Sequence, residues 1–154
     1  MGRYLGKRIV MFKKILVCFD GSDHAVRAVQ LASDIAGKYG SELQIVHVPE
    51  LRNDAVAVGS EVIFIPVDEA EIQAQAAEVL ARAVEIATEA GHAAVTTHVL
   101  RGTAAEAILL QAKETGVELI VAGRRGFGTL RGLLVGSVSQ KLTTHAECPV
   151  LTIQ

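Results

Sequence analysis

Five short strand-like runs recur along the chain, the first of them nearly continuously apolar, and helical patterns or the chain end follow them. They occupy residues 13–19, 42–48, 94–100, 117–122 and 149–153. A strand buried on both faces reads as an unbroken run rather than an alternating one. Strands that alternate with helices imply a parallel sheet joined by right-handed crossovers, with helices on both faces. The expected fold is therefore α/β, with an open five-stranded parallel sheet in a single domain. A length of 154 residues suits one such core. Half the residues are hydrophobic but few are aromatic, which suits Ala-rich helices packed on a Val/Ile/Leu sheet.

The intervening segments carry their own punctuation. Ser22 or Asp23 can cap a first helix, which carries Ala25, Val29, Ala32 and Ala36 on one face and ends at Gly40. Residues 50–66 read as an irregular connection interrupted by Gly59 and Pro66, either a lid over the C-terminal end of the second strand or a disordered surface loop. A long helix is expected over 67–90, with Ile72, Ala76, Val79, Leu80, Ala83, Ile86 and Ala87 buried. A third helix should run over 104–113 from a Thr103 cap, and a fourth over 136–145. Pro149 at the start of the last run suits an edge strand. Residues 1–10 are basic, lack a long apolar core and read as a mobile extension, leaving 11–154 as the domain.

The densest chemical signal follows the fourth apolar run. Residues 123–139 read GRRGFGTLRGLLVGSVS, with glycines at 123, 126, 128, 132 and 136 and arginines at 124, 125 and 131. Between a strand and a helix, glycines let backbone N–H groups approach a ligand, and the helix N-terminus favours an anion. Phosphate fits that description. A P-loop NTPase does not, because G-x4-G-K-[ST] is absent, and a G-x-G-x-x-G reading from Gly126 fails at Arg131.

The spacing Gly123, Gly126, Gly136-Ser137, or G-x2-G-x9-G-S, resembles the nucleotide loop of the ATP-binding branch of the universal stress protein family. Other matching features are Lys13-Lys-Ile-Leu-Val with Asp20-Gly-Ser22, His47-Val48, Arg101-Gly102 and Cys148-Pro-Val150. The resemblance spans 11–154 and implies strand order 3-2-1-4-5, a Rossmann-like arrangement of the adenine-nucleotide alpha-hydrolase type. It also implies a site. Asp20 lies near the adenosine and holds a metal, and Val48 lines the adenine slot. Ala122, Gly123, Arg125, Gly126, Gly136, Ser137, Val138 and Ser139 follow the ribose and phosphates. Arg125 stands where other members carry other polar residues, so its phosphate contact rests on guanidinium chemistry. Asp20 is equally placed to cap the first helix, and Ser137 to cap the last.

The function this resemblance implies is an ATP-binding stress-response switch or interaction module, with Mg2+ on the phosphates and at most slow ATP hydrolysis. Cyclic AMP binding and a nucleotide-free scaffold are the alternatives. An enzyme cleaving ATP between its alpha and beta phosphates fits less well, because Ser-Gly-Gly-x-Asp-Ser is missing after the first strand. The resemblance further implies a homodimer through the last strand, 150–153. A net charge of -2 argues against general nucleic-acid binding, and no apolar run is long enough for a membrane span. Cys18 and Cys148 are isolated, which suits packing and a reducing, cytoplasmic setting; Cys148 is the one open to oxidation.

Overall fold

The structure is a computed structural model that describes residues 12–50, 55–58, 60–64, 68–126 and 136–154. Residues 1–10 and the loop positions Gly128, Arg131 and Gly132 lie outside the described residues. The chain runs β1 (Lys14–Cys18), α1 (Asp23–Tyr39), β2 (Glu42–His47), β3 (Ala55–Val58), β4 (Glu61–Phe64), α2 (Glu69–Glu89), β5 (Val95–Val99), α3 (Ala104–Thr115), β6 (Leu119–Gly123), α4 (Ser137–His145) and β7 (Val150–Ile153).

Five of the strands form a parallel sheet in the order β5-β2-β1-β6-β7. Counted along the chain within that sheet, this is 3-2-1-4-5, as expected. Side chains alternate between its faces. Ile15, Val17, Phe19, Leu43, Ile45, Leu119 and Val121 pack with α1 and α2. Leu16, Val46, Ile120 and Ala122 pack with Ile108 and Ala112 of α3 and Leu142 of α4. β1, at the centre, buries residues on both faces, which is why its sequence is apolar without alternation.

α1 is short of large side chains on its buried face: Ala25, Ala28, Val29, Ala32 and Ala36 are all buried. Small residues there bring the helix axis close to the sheet. Its N-cap is Ser22, whose hydroxyl accepts from the Ala25 N–H at 3.3 Å, and Gly40 closes it in the left-handed region at φ 70°.

Several expectations need correction. The segment read as irregular contains an antiparallel hairpin, β3–β4, registered from Ala55↔Phe64 to Val58↔Glu61. Its sequence, Ala-Val-Ala-Val then Glu-Val-Ile-Phe around Gly59-Ser60, carries β-branched residues about a two-residue turn. That pattern outweighs Gly59 and Pro66 as loop markers. Thr103 stands at the N-cap of α3 but makes no side-chain capping bond, and α3 continues to Thr115. Gly136, not Ser137, is the N-cap of α4. The long helix begins at Glu69 because Asp68 caps it, accepting from the Ala70 N–H at 2.9 Å.

Ser33 is 1% exposed on the inner face of α1, and its hydroxyl has no partner among the described residues. A buried unsatisfied hydroxyl costs on the order of 1–3 kcal/mol. Ser33→Ala should therefore raise the unfolding free energy, by about 1 kcal/mol, in urea titrations. A loss of stability would show that the hydroxyl is satisfied.

Candidate functional site

The winding of the sheet reverses between β1 and β6, which lie side by side through Ile15↔Leu119, Leu16↔Ile120 and Val17↔Val121. Ligands in open parallel sheets bind beyond the C-terminal strand ends at such a point. A cleft of about 930 Å3 opens there. All ten residues singled out from the sequence line it: Asp20, Val48, Ala122, Gly123, Arg125, Gly126, Gly136, Ser137, Val138 and Ser139.

Close approach explains two of the glycines before any ligand is considered. A Cβ at Gly123 would fall 2.9 Å from His24 Cβ and 3.0 Å from the Ala25 nitrogen. The first turn of α1 thus sits directly on the end of β6. A Cβ at Gly126 would collide with Asp20 Oδ2. The glycine loop and the Asp20 turn are in contact across the cleft.

Asp20 does not cap α1 itself. Its Oδ1 accepts from the Ser22 N–H at 2.9 Å and from the Ser22 hydroxyl at 2.6 Å. That pair orients Ser22, which then caps α1. One carboxylate oxygen is thereby committed to the turn, while Oδ2 stands beside Gly126. The loop's two ends are also pinned. The Gly136 N–H donates to the Arg124 carbonyl at 2.8 Å, and the Arg124 N–H donates to the Ile153 carbonyl at 2.6 Å. The buried Ser139 hydroxyl lies 2.9 Å from the Gly123 carbonyl and 3.0 Å from that of Arg124, and donates to them.

α4 differs from the other helices at its N-terminus. α1 and α2 have side-chain caps and acidic residues in the first turn, and α3 has Glu106 there. α4 has neither a side-chain capping bond nor an acidic residue in its first turn. Its first N–H groups, at Ser137, Val138 and Ser139, keep their positive potential for something else. Arg125 is exposed at the rim on the same side.

The remaining predicted roles divide cleanly. His47 is structural, its Nδ1–H donating to the Phe19 carbonyl at 2.8 Å. Cys18 lies on the cleft floor, where loss of solvation and then the Asp20 charge push its thiol up to about 12. Cys148 is half-buried and its thiol is also raised, mainly by lost solvation. Both cysteines are free. No group of three or more metal-ligating side chains occurs among the described residues. The sequence reading missed one wall of the cleft, the start of α2, with Asp68, Glu71, Ile72 and Gln75. The acidic start of that helix was the available signal, but nothing in the sequence places it over the strand ends.

Sheet order, helices on both faces and a cleft at the reversal point define a Rossmann-like α/β protein. The family model for the universal stress protein family matches residues 11–154. The universal stress protein YxiE of Bacillus subtilis is 38% identical over 152 residues, covering 94% of this chain and all of that one. A universal stress protein from Archaeoglobus fulgidus, solved in complex with dAMP, superposes with a TM-score of 0.69 at 26% identity, covering 94% of this chain and 99% of that one. A universal stress protein solved in complex with cAMP superposes with a TM-score of 0.73 at 24% identity, over 94% and 98%. This chain belongs to the universal stress protein family.

Cys18 should resist alkylation in the folded protein at pH 8 and react only on unfolding. Its folded thiol lies above the ordinary 9.0. The folded state therefore holds that proton longer, and the stability this contributes is lost as pH rises from 9 towards 12. Urea titrations at pH 8 and pH 10 should show a smaller alkaline loss in Cys18→Ala than in the native sequence. Equal losses would contradict the assignment.

Proposed function

We propose that the protein binds an adenine nucleotide, ATP foremost, in the cleft at the β1–β6 crossover and acts as a nucleotide-dependent stress-response switch or interaction module. The observation that carries this reading is the N-terminus of α4. It is the helix whose first turn has neither a capping side chain nor an acid, and it opens onto a glycine loop and an exposed arginine. Backbone N–H groups at Ser137, Val138 and Ser139, with the Ser137 hydroxyl, would receive the phosphates, with the Gly136 backbone running alongside them. Arg125 adds a fork of donors suited to a phosphate. The backbone at Gly123 and Gly126, held close to α1 and the Asp20 turn, would follow the ribose and phosphates, with Ala122 beneath. Val48, where β2 ends, lines the base slot. The solved relatives with dAMP and cAMP support an adenine nucleotide as the class of ligand.

Mg2+ fits this site in a limited way. Asp20 offers one carboxylate whose Oδ1 is held by Ser22 and whose Oδ2 borders the loop. Mg2+ is commonly bound by one or two carboxylates with phosphates and water completing its shell. Bound there, the ion would neutralise phosphate charge. Apart from Asp20 the sequence offers no evident base to activate water, so any hydrolysis would be slow. Nucleotide binding works as a switch only where the ligand prefers one of two states.

The outer edge of the sheet supports a homodimer. β7 is an edge strand whose Val150, Leu151, Thr152 and Ile153 are all half-buried. An edge that presents unpaired backbone groups with apolar side chains favours pairing with a second copy. Leu151→Pro should convert the dimer to monomer by light scattering, and an unchanged mass would refute the pairing. Two free cysteines suit a cytoplasmic setting.

Thermal unfolding in Mg2+ with ATP, ADP, cyclic AMP or GTP tests the ligand. At about a hundred times its dissociation constant a ligand stabilises by roughly 2.7 kcal/mol. For a domain of this size that raises the midpoint by about 5–10 °C. ATP should give this shift, GTP much less, and Gly126→Ala should remove it by forcing the loop off Asp20. No shift with any of the four would sink the reading, and a larger shift with cyclic AMP would transfer it to that ligand.

A further inference from the structure

Arg101 is among the first residues past β5, and Glu69 is the first residue of α2. Arg101 Nη1 donates to Glu69 Oε2 at 3.2 Å, and Nη2 donates to Glu69 Oε1, so the two planar groups meet at two points. The pair spans 32 positions of sequence and joins two walls of the cleft. On one side, α2 contributes Asp68, Glu71 and Ile72. On the other, the turn after Arg101 contributes Gly102, Thr103 and Ala104, which face Val48 and Pro49 across a shallower extension.

The first turn of α2 has little else to hold it down. Glu69, Ala70 and Glu71 are exposed, and Ile72 is the first buried side chain of the helix. Among the described residues, Arg101 is the one basic group paired with that turn. The Arg101 and Glu69 side chains are 39% and 67% exposed. An ion pair this open adds little to global stability, so its breaking leaves the fold intact. Two-point geometry nonetheless fixes direction as well as distance. The combination suits a tie that sets the width of the cleft where β2 ends, not a staple of the core.

We infer that Arg101 is a positioning residue: through Glu69 it holds the first turn of α2 across the β2 end of the cleft and slows escape of the bound nucleotide. The inference rests on the nucleotide reading above. It assigns a role to a side chain that lies outside the loop expected to contact the ligand.

Two readouts test it, one of which needs no ligand. The Ile72 N–H donates to the Asp68 carbonyl at 3.1 Å, the opening hydrogen bond of α2. Hydrogen exchange at the Ile72 amide, in protein without nucleotide, should speed up about two- to fivefold in Arg101→Ala and in Glu69→Ala, the range an exposed pair supports. Dissociation of radiolabelled ATP, chased with unlabelled ATP, should accelerate by a similar factor, while the thermal midpoint without ligand barely moves. The reversed pair, Glu69→Arg with Arg101→Glu, should bring both rates back towards those of the native protein. Unchanged exchange and dissociation in the single variants would overturn the inference. So would faster exchange with unchanged dissociation, or a reversed pair no better than either single variant. A native protein that binds no ATP would refute the nucleotide reading, and Ile72 exchange would still decide whether Arg101 holds α2.

Discussion

The contact between Gly123 and the first turn of α1 organises this end of the molecule. With no side chain at 123, the end of β6 meets His24 and Ala25 directly. The neighbouring Arg124 N–H is then delivered to the Ile153 carbonyl, and the Arg124 carbonyl accepts from Gly136. His24 Nδ1 stands 3.3 Å from the same Ile153 carbonyl. One short stretch of backbone therefore ties together the strand that starts the glycine loop, the helix that ends it, the helix opposite and the edge strand. A bulkier residue at 123 would push α1 outward and move the Asp20 turn with it.

The electrostatic arrangement follows from how the helices start. Among the described residues, three of the four helix N-termini have an acidic residue in the first turn, and two of those also have a side-chain cap. The fourth, α4, is left without either and begins at the cleft. Asp20 faces the loop, but Ser22 absorbs one of its oxygens. The cleft thus has an anion-seeking side formed by backbone N–H groups and Arg125. Its other wall, with Glu50, Asp68 and Glu71, offers carboxylates to the opposite end of a ligand. A phosphorylated molecule with a neutral, donor-bearing ring matches that division.

Much of this was legible in the sequence, for identifiable reasons. Runs such as Ile15-Leu-Val17 and Leu119-Ile-Val-Ala122 are apolar throughout because both faces of the inner strands are covered. Gly40 and Gly116 mark helix ends because each adopts a left-handed conformation there. The strand order could not be read from pattern alone, since β1, β2 and β6 share the same composition; it came through the family resemblance. The β3–β4 hairpin was hidden by Gly59 and Pro66, which suit a loop as well as a turn between strands. The α2 wall was hidden for a different reason. Whether Glu71 and Gln75 face solvent or a cleft depends on where the connection after β2 sets the helix down, and that is a property of the tertiary fold.

The central claim is that the uncapped start of α4 and the glycine loop receive the phosphates of an adenine nucleotide. The most direct measurement is a titration of 15N-labelled protein with ATP and Mg2+, followed at individual backbone amides. The account predicts large shifts at Gly126, Gly136, Ser137 and Val138, with small ones at amides far from the cleft, such as Lys113. Saturable shifts that leave those loop and helix amides unmoved, or no saturable shifts at all, would contradict it.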